Sequence, residues 1–405
     1  MRAFDLNAPT PTSQRVGKAL RLTNYAWITV ISALGLSLIG IYCIDVAQSV
    51  SALSGAAPGG YAAKQLAFLA IGMLAAACVA APPYRWLGYF APVGYILIIG
   101  FLIFLLVPGV PKWIVTPRNG ARSWIDVGPI DIQPSEIAKI IYVIMMARFM
   151  RYRDSHRTLA GLIPPALITG VPLALILLQP DLGTAVLFMP VLFAMLVAAG
   201  AKLKHLIIIV LAAALFAPAT YPFLKPHQKA RFVGLFKQIE GDKATAQDIN
   251  FQAYTAQTLS AAGGVVGVGE EKARALVHFS RLPERHNDMI FSVLLNRFGL
   301  FGGLVALLLY FLWTAGALMA AAATRDPFGR LIVVGLTAFV LAQALINIAM
   351  NIGLAPITGI TLPFLSYGGS SMVSLWLMVG IILNIAMRRP RPPVRNSFEY
   401  GDHDD

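Results

Sequence analysis

One acidic residue stands where a polar segment meets an apolar one. Residues 282–288 are Leu-Pro-Glu-Arg-His-Asn-Asp, and the apolar run 289–295 follows directly. Asp288 therefore lies where a loop enters an apolar environment, a position in which an ionisable side chain is costly and is usually kept for function. Its carboxylate is a candidate general base. His286 is the rival base, although a histidine in a loop is more often a hydrogen-bonding neighbour.

A second motif places two opposite charges on one helix face. Residues 133–139 are Gln-Pro-Ser-Glu-Ile-Ala-Lys, and a proline suits the first turn of a helix. Capping of the helix dipole would by itself explain Glu136. Because Lys139 follows one turn later on the same face, we expect a buried Glu136–Lys139 pair that lines a polar cavity.

A third motif is a tight turn between two apolar runs. Residues 179–184 are Gln-Pro-Asp-Leu-Gly-Thr, so proline and glycine interrupt the helix beside a carboxylate. Asp181 has two interpretations of equal weight. An aspartate before Gly-Thr favours the turn itself, or its carboxylate takes part in the chemistry.

Two polar features near the C-terminal end of the sequence are expected to face the same interior. Gln343, Asn347 and Asn351 recur at every fourth residue of an apolar run, so they form one stripe that must face other helices. Residues 361–371 end in Gly-Gly-Ser-Ser at the start of the last helix. Free N–H groups at such a helix start, with Ser370 and Ser371, suit a phosphate group.

Apolar runs of membrane-spanning length carry these motifs. The 405 residues are 57% hydrophobic and 13% charged, whereas soluble domains contain about 25% charged residues. We predict an all-α integral membrane protein with about ten transmembrane helices. The predicted spans are residues 25–44, 65–81, 87–107, 134–150, 162–178, 184–201, 206–223, 298–322, 331–351 and 372–387. The apolar stretch 289–322 exceeds one span, so a short half-helix or a re-entrant segment is expected before the eighth.

Basic residues give the orientation. Arginine and lysine flank the first, fourth, sixth, eighth and tenth spans on one side, which predicts that both termini are cytoplasmic. The net charge of +13 is explained largely by this flanking pattern, so no nucleic-acid partner is expected. Residues 1–24 and 388–405 are predicted cytoplasmic tails around a transmembrane domain, 25–387. The two cysteines fall near opposite membrane faces, so no disulfide is expected.

A large extracytoplasmic loop, residues 224–287, joins helices 7 and 8 in this topology. It is rich in lysine and arginine, and a basic outer surface beside lipid suits an anionic lipid headgroup. Apolar residues between 232 and 239 recur at helical spacing. That pattern predicts an amphipathic helix, which would lie either at the membrane interface or over the site as a structural lid.

Together these motifs resemble the SEDS family, the RodA/FtsW/SpoVE-type peptidoglycan polymerases. The resemblance extends from about residue 25 to residue 387 and rests on residues 133–136, 179–184, 282–288 and 363–371. Residues 181–184 and 282–286 favour the RodA branch slightly, whereas the Asn347–Asn351 pair and residues 361–363 favour FtsW. The elongation, division and sporulation roles therefore stay open.

The resemblance implies a glycosyltransferase in the bacterial cytoplasmic (inner) membrane that polymerises lipid II and releases undecaprenyl pyrophosphate. It implies a class B penicillin-binding protein, the transpeptidase, as partner, and contact with membrane lipids. The family's essential acidic residue corresponds to Asp288, the predicted catalytic base. The residues expected to bind substrate are Arg122, Glu136, Lys139, Glu284, His286, Ser370 and Ser371. No cofactor is assigned, and a divalent cation is left open.

Two departures from the family pattern bear on activity. The family usually has threonine where this chain has Asn287, and an acidic pair where it has Asn296-Arg297. Two competing functions follow: a lipid II flippase, which moves its substrate without forming a bond, and a non-catalytic scaffold of the division or elongation machinery. Polymer formation in detergent separates the enzyme from both.

Overall fold

The structure is a computed structural model that describes residues 25–48, 60–108, 110–111, 115, 122–127, 130–151, 153, 158–220, 229, 233 and 251–388. Within these ranges the chain forms twelve α-helices, one 3-10 turn and one two-stranded hairpin. The helices are α1 Ala26–Gln48, α2 Gly60–Ala80, α3 Arg85–Leu106, α4 Pro134–Arg151, α5 Ile163–Leu178, α6 Leu182–Ala198, α7 Leu203–Thr220, α8 Phe251–Ala262, α9 Glu270–Phe279, α10 Ile290–Ala322, α11 Pro327–Asn351 and α12 Gly369–Met387. The hairpin strands are β1 Ile125–Val127 and β2 Ile130–Ile132, and the 3-10 turn is Ala160–Leu162.

The helices confirm the predicted all-α membrane fold. Each predicted span overlaps one helix, from α1 to α7 and from α10 to α12. Seven of the described helices are long and apolar enough to cross a membrane, and α6 is a shorter apolar helix. By contrast, α4 carries Glu136, Lys139, Arg148 and Arg151 within its 18 residues. The number of crossings therefore stays a prediction.

The chain entering the eighth predicted span forms a broken helix. Helix α10 begins at Ile290, eight residues before the predicted start of that span, and Gly299 interrupts it with φ 64° and ψ −162°. This conformation is open to glycine at little cost because glycine has no Cβ. Residues 290–298 form the short half-helix that was predicted, and the long segment 300–322 follows.

Residues 251–287, the described C-terminal part of the predicted outer loop, contain two helices, α8 and α9. The amphipathic helix predicted between residues 232 and 239 lies outside the described residues, apart from Val233. The tails 1–24 and 389–405 also lie outside them. Cys43 is buried, Cys78 is exposed, and both thiols are free, as the sequence predicted.

Hydrogen bonds join four helices at the end of the bundle that is predicted to be cytoplasmic. Tyr84 donates to Asp326 at 2.8 Å, and Arg151 approaches the same carboxylate at 3.5 Å. Asn384 donates to the carbonyl oxygen of Val79 at 2.6 Å, and Arg388 to that of Ala80 at 3.1 Å. The end of α2 is thereby tied to α12, and both α4 and the turn before α3 are tied to the start of α11.

Candidate functional site

Asp288 lies at the entrance to the half-helix, just before α10 begins. The residue is buried, with 6% of its surface exposed. Its position follows from the sequence, because the polar segment 282–288 changes to an apolar one at Met289. A carboxylate at this depth is costly unless the surrounding structure holds it in place.

The polar stripe of α11 holds the main chain of Asp288. The side-chain amides of Asn347 and Asn351 both donate to the carbonyl oxygen of Asp288, at 2.8 and 2.9 Å. Asn351 also accepts from the hydroxyl of Ser292 at 2.8 Å. The prediction that this stripe faces the bundle interior is confirmed, since both asparagines are fully buried.

The loop before α12 closes over the same segment. Ser366 donates to the carbonyl oxygen of Asn287 at 2.6 Å, and the N–H of Tyr367 donates to that of His286 at 2.9 Å. Gly359, with φ 74°, approaches the carboxylate so closely that a Cβ there would lie 4.0 Å from Oδ2 of Asp288. Two motifs about 80 residues apart in sequence thus form one structure.

Glu136 and Lys139 form the predicted buried pair. Their charged groups are 2.8 Å apart, and the two residues are 5% and 1% exposed. The ammonium also donates to Gln343 at 3.0 Å, and Glu136 accepts from Ser374 at 3.1 Å. Because these partners lie on α11 and α12, the pair joins three helices. Its role in lining a substrate cavity stays a prediction.

Gln343 links this pair to the loop that covers Asp288. Its amide donates to the carbonyl oxygen of Thr361 at 3.0 Å and to the hydroxyl at 3.1 Å. In the next turn of α11, Asn347 donates to the carbonyl oxygen of Ile360 at 2.6 Å. One polar chain therefore runs from Lys139 to the surroundings of Asp288.

Asp181 caps α6 and borders the same polar cluster. Its carboxylate accepts from the N–H of Thr184 at 3.0 Å, as expected of a helix N-cap. It also accepts a hydrogen bond from the side-chain amide of Gln133 at 3.4 Å. Burial raises the pKa of Asp181, and the bond from Thr184 and the charge of Lys139 oppose this shift. The turn-forming interpretation is therefore supported, and the position beside Lys139 leaves a functional role open.

The hairpin before α4 connects to the start of α12 through Ser370. Its hydroxyl donates to the carbonyl oxygen of Asp131 and accepts from the N–H of Gln133 at 3.2 Å. Ser371 is half-buried in the first turn of α12. The N-termini of α4 and α12 are therefore neighbours. The hydroxyl of Ser370 is engaged by the hairpin, so its predicted binding of substrate stays a prediction.

Arg122 and two serines carry buried polar atoms without hydrogen-bond partners. These atoms are Nε of Arg122 and the hydroxyls of Ser123 and Ser135. Arg122 and Ser123 lie just before the hairpin, and Ser135 is the second residue of α4, which follows the hairpin. Unsatisfied donors at a helix start are suited to an anion.

His286 and Glu284 are engaged with neighbouring protein groups. The imidazole stacks on the ring of Tyr61, with 4.8 Å between centroids and 10° between planes. Burial lowers the pKa of His286, and the charge of Glu284 opposes this shift. Glu284, with φ 51°, accepts from the amide of Asn287 at 2.5 Å. Stacking fixes the orientation of the imidazole, and the choice between Asp288 and His286 as the base stays a prediction.

Several residues of the site were missed by the sequence analysis, among them Tyr61, Gln65, Gly359, Ser366 and Ser374. Gln65 donates to the carbonyl oxygen of Ser366 at 2.9 Å and accepts from the N–H of Gly368 at 3.1 Å. A lone glutamine within an apolar run was a signal that could have identified it. Gly359 gave no such signal, because its role depends on a contact with a distant loop.

A metal site made of protein side chains is not evident in the described ranges. Among those residues, no three histidine, cysteine, aspartate or glutamate side chains gather closely enough to hold an ion. The divalent cation left open by the sequence analysis stays untested.

Comparison with known proteins covers nearly the whole chain. The profile of the family described as "cell cycle protein", comprising FtsW, RodA and SpoVE, matches residues 24–391. A "probable peptidoglycan glycosyltransferase FtsW" of Trichlorobacter lovleyi is 32% identical over 376 residues, which are 91% of this chain and 95% of that protein. Stage V sporulation protein E of Bacillus subtilis is 31% identical over 328 residues, 80% of this chain and 87% of that protein.

Solved structures share the fold. A chain from the work "Structural coordination of polymerization and crosslinking by a peptidoglycan synthase complex" is 28% identical with a TM-score of 0.74, covering 90% of this chain and 98% of that chain. The rod shape determining protein RodA of Thermus thermophilus is 24% identical with a TM-score of 0.64 at the same coverage, and this likeness bears on the fold alone.

Proposed function

This chain belongs to the FtsW/RodA/SpoVE family of cell cycle proteins, the SEDS family, and we propose that it is a peptidoglycan glycosyltransferase that polymerises lipid II. The observation that carries the proposal is the placement of Asp288. Asn347 and Asn351 fix the main chain of this buried acid at the start of a broken helix. Such a fixed carboxylate is suited to take a proton from a substrate hydroxyl.

The reaction is a single displacement. Asp288 accepts the proton of the acceptor's GlcNAc 4-hydroxyl while that oxygen forms a bond to the anomeric carbon of the donor's MurNAc. The bond from that carbon to the diphosphate oxygen breaks, and undecaprenyl pyrophosphate leaves with the electron pair. Attack from the opposite face inverts the anomeric centre, as in inverting glycosidases.

The leaving diphosphate is assigned to the region between the starts of α4 and α12. The hydroxyl of Ser135 is an unpartnered donor in the first turn of α4, and we assign Arg122 and Ser123, which precede the hairpin leading into α4, as further donors. The two neighbouring helix N-termini add positive potential. Lys139 has a different role, because its ammonium is already bound by Glu136 and Gln343. It contributes by holding α4 against α11.

The flippase alternative requires a path for the headgroup across the bundle. Bonds of Asp326, Asn384 and Arg388 hold helices together at the end predicted to be cytoplasmic. An alternating-access carrier is also closed at one end in each of its states, so the transport measurement below separates the two functions. A non-catalytic scaffold would have no need for a buried carboxylate whose main chain is fixed by two asparagines.

The proposal places the protein in the bacterial cytoplasmic membrane with both termini in the cytoplasm and the Asp288 site outside. Its products are glycan strands that need crosslinking, so we assign it a class B penicillin-binding protein as partner. The similar chain from a peptidoglycan synthase complex supports this assignment.

The test uses the full-length protein, purified in detergent and supplied with labelled lipid II. Asp288→Asn is expected to lower the rate of polymer formation by about 10²-fold or more, the contribution typical of a general base. Glu271→Gln is the matched control, since it makes the same acid-to-amide change at an exposed residue of α9. Equal rates for Asp288→Asn and wild type would overturn the assignment. Lipid II transport in vesicles without polymer would instead indicate the flippase.

A further inference from the structure

The break in α10 carries Asn296 and Arg297, where related chains are expected to have an acidic pair. Asn296 is fully buried, and its amide donates to the carbonyl oxygen of Leu259 in α8 at 2.9 Å. Its own carbonyl oxygen accepts from the N–H of Val268 at 3.1 Å. The two backbones lie so close that a Cβ on Gly263 would be 2.0 Å from the carbonyl oxygen of Leu295.

Arg297 reaches in the other direction, toward α1. Its Nε donates to the hydroxyl of Tyr42 at 3.0 Å, and its Nη1 to the carbonyl oxygen of Val268 at 3.2 Å. The guanidinium also lies over the rings of Phe298 and Tyr42, at 4.8 and 5.8 Å from their centroids. A planar guanidinium is suited to such combined hydrogen bonding and stacking.

The contacts of Arg297 continue into an ionic network between α1 and α9. Tyr42 donates to Glu270 at 3.0 Å, and Glu270 pairs with Arg274 at 2.6 Å. Arg274 also binds Asp45 at 2.7 Å, near the end of α1. Arg297 therefore joins the half-helix to both α1 and the outer-loop helix α9.

The partners of Asn296 and Arg297 explain why donors occupy these positions. Two of the partners are main-chain carbonyl oxygens, those of Leu259 and Val268, and the Tyr42 hydroxyl already gives its proton to Glu270. An acidic pair would bring carboxylates against these acceptors, and unpaired buried acceptors are costly. The donors of Asn296 and Arg297 therefore match the acceptors around them, while Oδ1 of Asn296 has no hydrogen-bond partner among the described residues.

We propose that Asn296 and Arg297 are positioning residues that clamp the half-helix to α8, α9 and α1 and thereby hold Asp288 in its working position. Residues 290–298 form a short rigid rod of about 13 Å at the usual helical rise. Asn347 and Asn351 hold the Asp288 end, and the clamp holds the other. The inference rests on the proposed function, because positioning has meaning only if Asp288 acts on a substrate.

Kinetics of lipid II polymerisation by the purified full-length protein test the clamp. Arg297→Gln is expected to lower kcat by about 10-fold with little change in KM, because a misplaced base slows the chemical step and leaves substrate binding intact. Arg297→Lys should recover part of that loss. Arg330→Gln, which removes an exposed arginine of α11 near the end predicted to be cytoplasmic, is the charge-matched control and should behave as wild type.

Tyr42→Phe provides a second, milder variant that removes one hydroxyl and keeps the ring. If the clamp acts as one unit, the double variant Tyr42→Phe, Arg297→Gln should have a kcat close to that of Arg297→Gln alone. Replacing Asn296 and Arg297 together by glutamate recreates an acidic pair and should lower kcat further. Wild-type or higher kcat in that double variant, or a change confined to KM in Arg297→Gln, would overturn the proposal.

Amide hydrogen exchange separates failure of the clamp from failure of the proposed function. Arg297→Gln should speed exchange in residues 251–298 and leave the helices at the opposite end unchanged. If Arg297→Gln exchanges faster than the wild type but the wild type makes no polymer, the clamp exists and the proposed reaction is wrong. Unchanged exchange in Arg297→Gln would show that the clamp itself is wrong.

Discussion

At the scale of single residues, the main chain of Asp288 is held more extensively than any other part of the site. Two asparagine amides converge on its carbonyl oxygen, and the flanking carbonyl oxygens of His286 and Asn287 are bound by the loop before α12. The position of Asp288 is therefore fixed through the main chain of residues 286–288. This arrangement is consistent with preorganisation of a general base.

Asn347 offers a direct test of that support. Asn347→Asp replaces two donated hydrogen bonds, to the carbonyl oxygens of Asp288 and Ile360, with an acceptor facing acceptors. We expect a loss of about 1–3 kcal/mol in stability and a clear fall in polymerisation rate. Asn384→Asp makes the same change at the opposite end, where the amide binds Val79 and Pro82. Equal specific activity of the two folded variants would contradict the role of Asn347.

His286 predicts a dependence of stability on pH. Its pKa in the folded protein is lowered from 6.5 by burial, so the unfolded chain binds more protons at mildly acidic pH. The contribution of His286 to the free energy of unfolding is therefore fully present above about pH 6.5, and it falls as the pH drops below that value.

Thermal unfolding across pH 5–8, followed by intrinsic fluorescence, measures this dependence. His286→Phe keeps an aromatic ring against Tyr61 and removes the titrating group, so its melting temperature should fall less on acidification. A wild-type melting temperature that rises as the pH drops from about 6.5 to 5 would contradict the lowered pKa.

At the scale of helices, the Glu136–Lys139 pair links α4, α11 and α12. Lys139→Met leaves the carboxylate of Glu136 buried beside Ser374 without its cation. Breaking one member of a buried ion pair typically costs about 3–5 kcal/mol. The double variant Glu136→Gln, Lys139→Met removes both charges and should lose much less stability than Lys139→Met alone.

Heat-induced aggregation of the detergent-solubilised protein compares these variants. Lys64→Met, a lysine-to-methionine change at an exposed residue of α2, is the control and should match wild type. If Lys139→Met is as stable as the double variant, the pair does not bridge the three helices.

At the scale of the whole molecule, the predicted topology places α9 and the α6–α7 turn on opposite sides of the membrane. In a background in which Cys43 and Cys78 are replaced by alanine, Lys272→Cys should react with a membrane-impermeant thiol reagent added to intact cells. Lys204→Cys should react only after the membrane is permeabilised. Both lysines are exposed, so burial does not protect either position. Labelling of both cysteines in intact cells would contradict the predicted orientation.

Much of the architecture could be predicted from local patterns in the sequence. Apolar runs of membrane-spanning length located ten of the described helices, with every end within five residues of the prediction except the start of α10. This works because every backbone group in a bilayer must be satisfied within its own segment. The broken helix followed from an apolar stretch that was too long for one span. The inward polar stripe of Gln343, Asn347 and Asn351 followed from its period, and the Glu136–Lys139 pair from its spacing.

The same sequence could not show which of these groups meet. That Asn347 and Asn351 bind the main chain of Asp288, that Gly359 faces its carboxylate, and that Ser370 joins the hairpin to α12 all depend on contacts between distant segments. Asn296 and Arg297 departed from the pattern in sequence, and only their partners in α8, in the turn before α9 and in α1 gave that departure a physical reason. Helix formation in a membrane is decided within each segment. The choice of hydrogen-bond partners is decided by packing between segments, which only the tertiary structure determines.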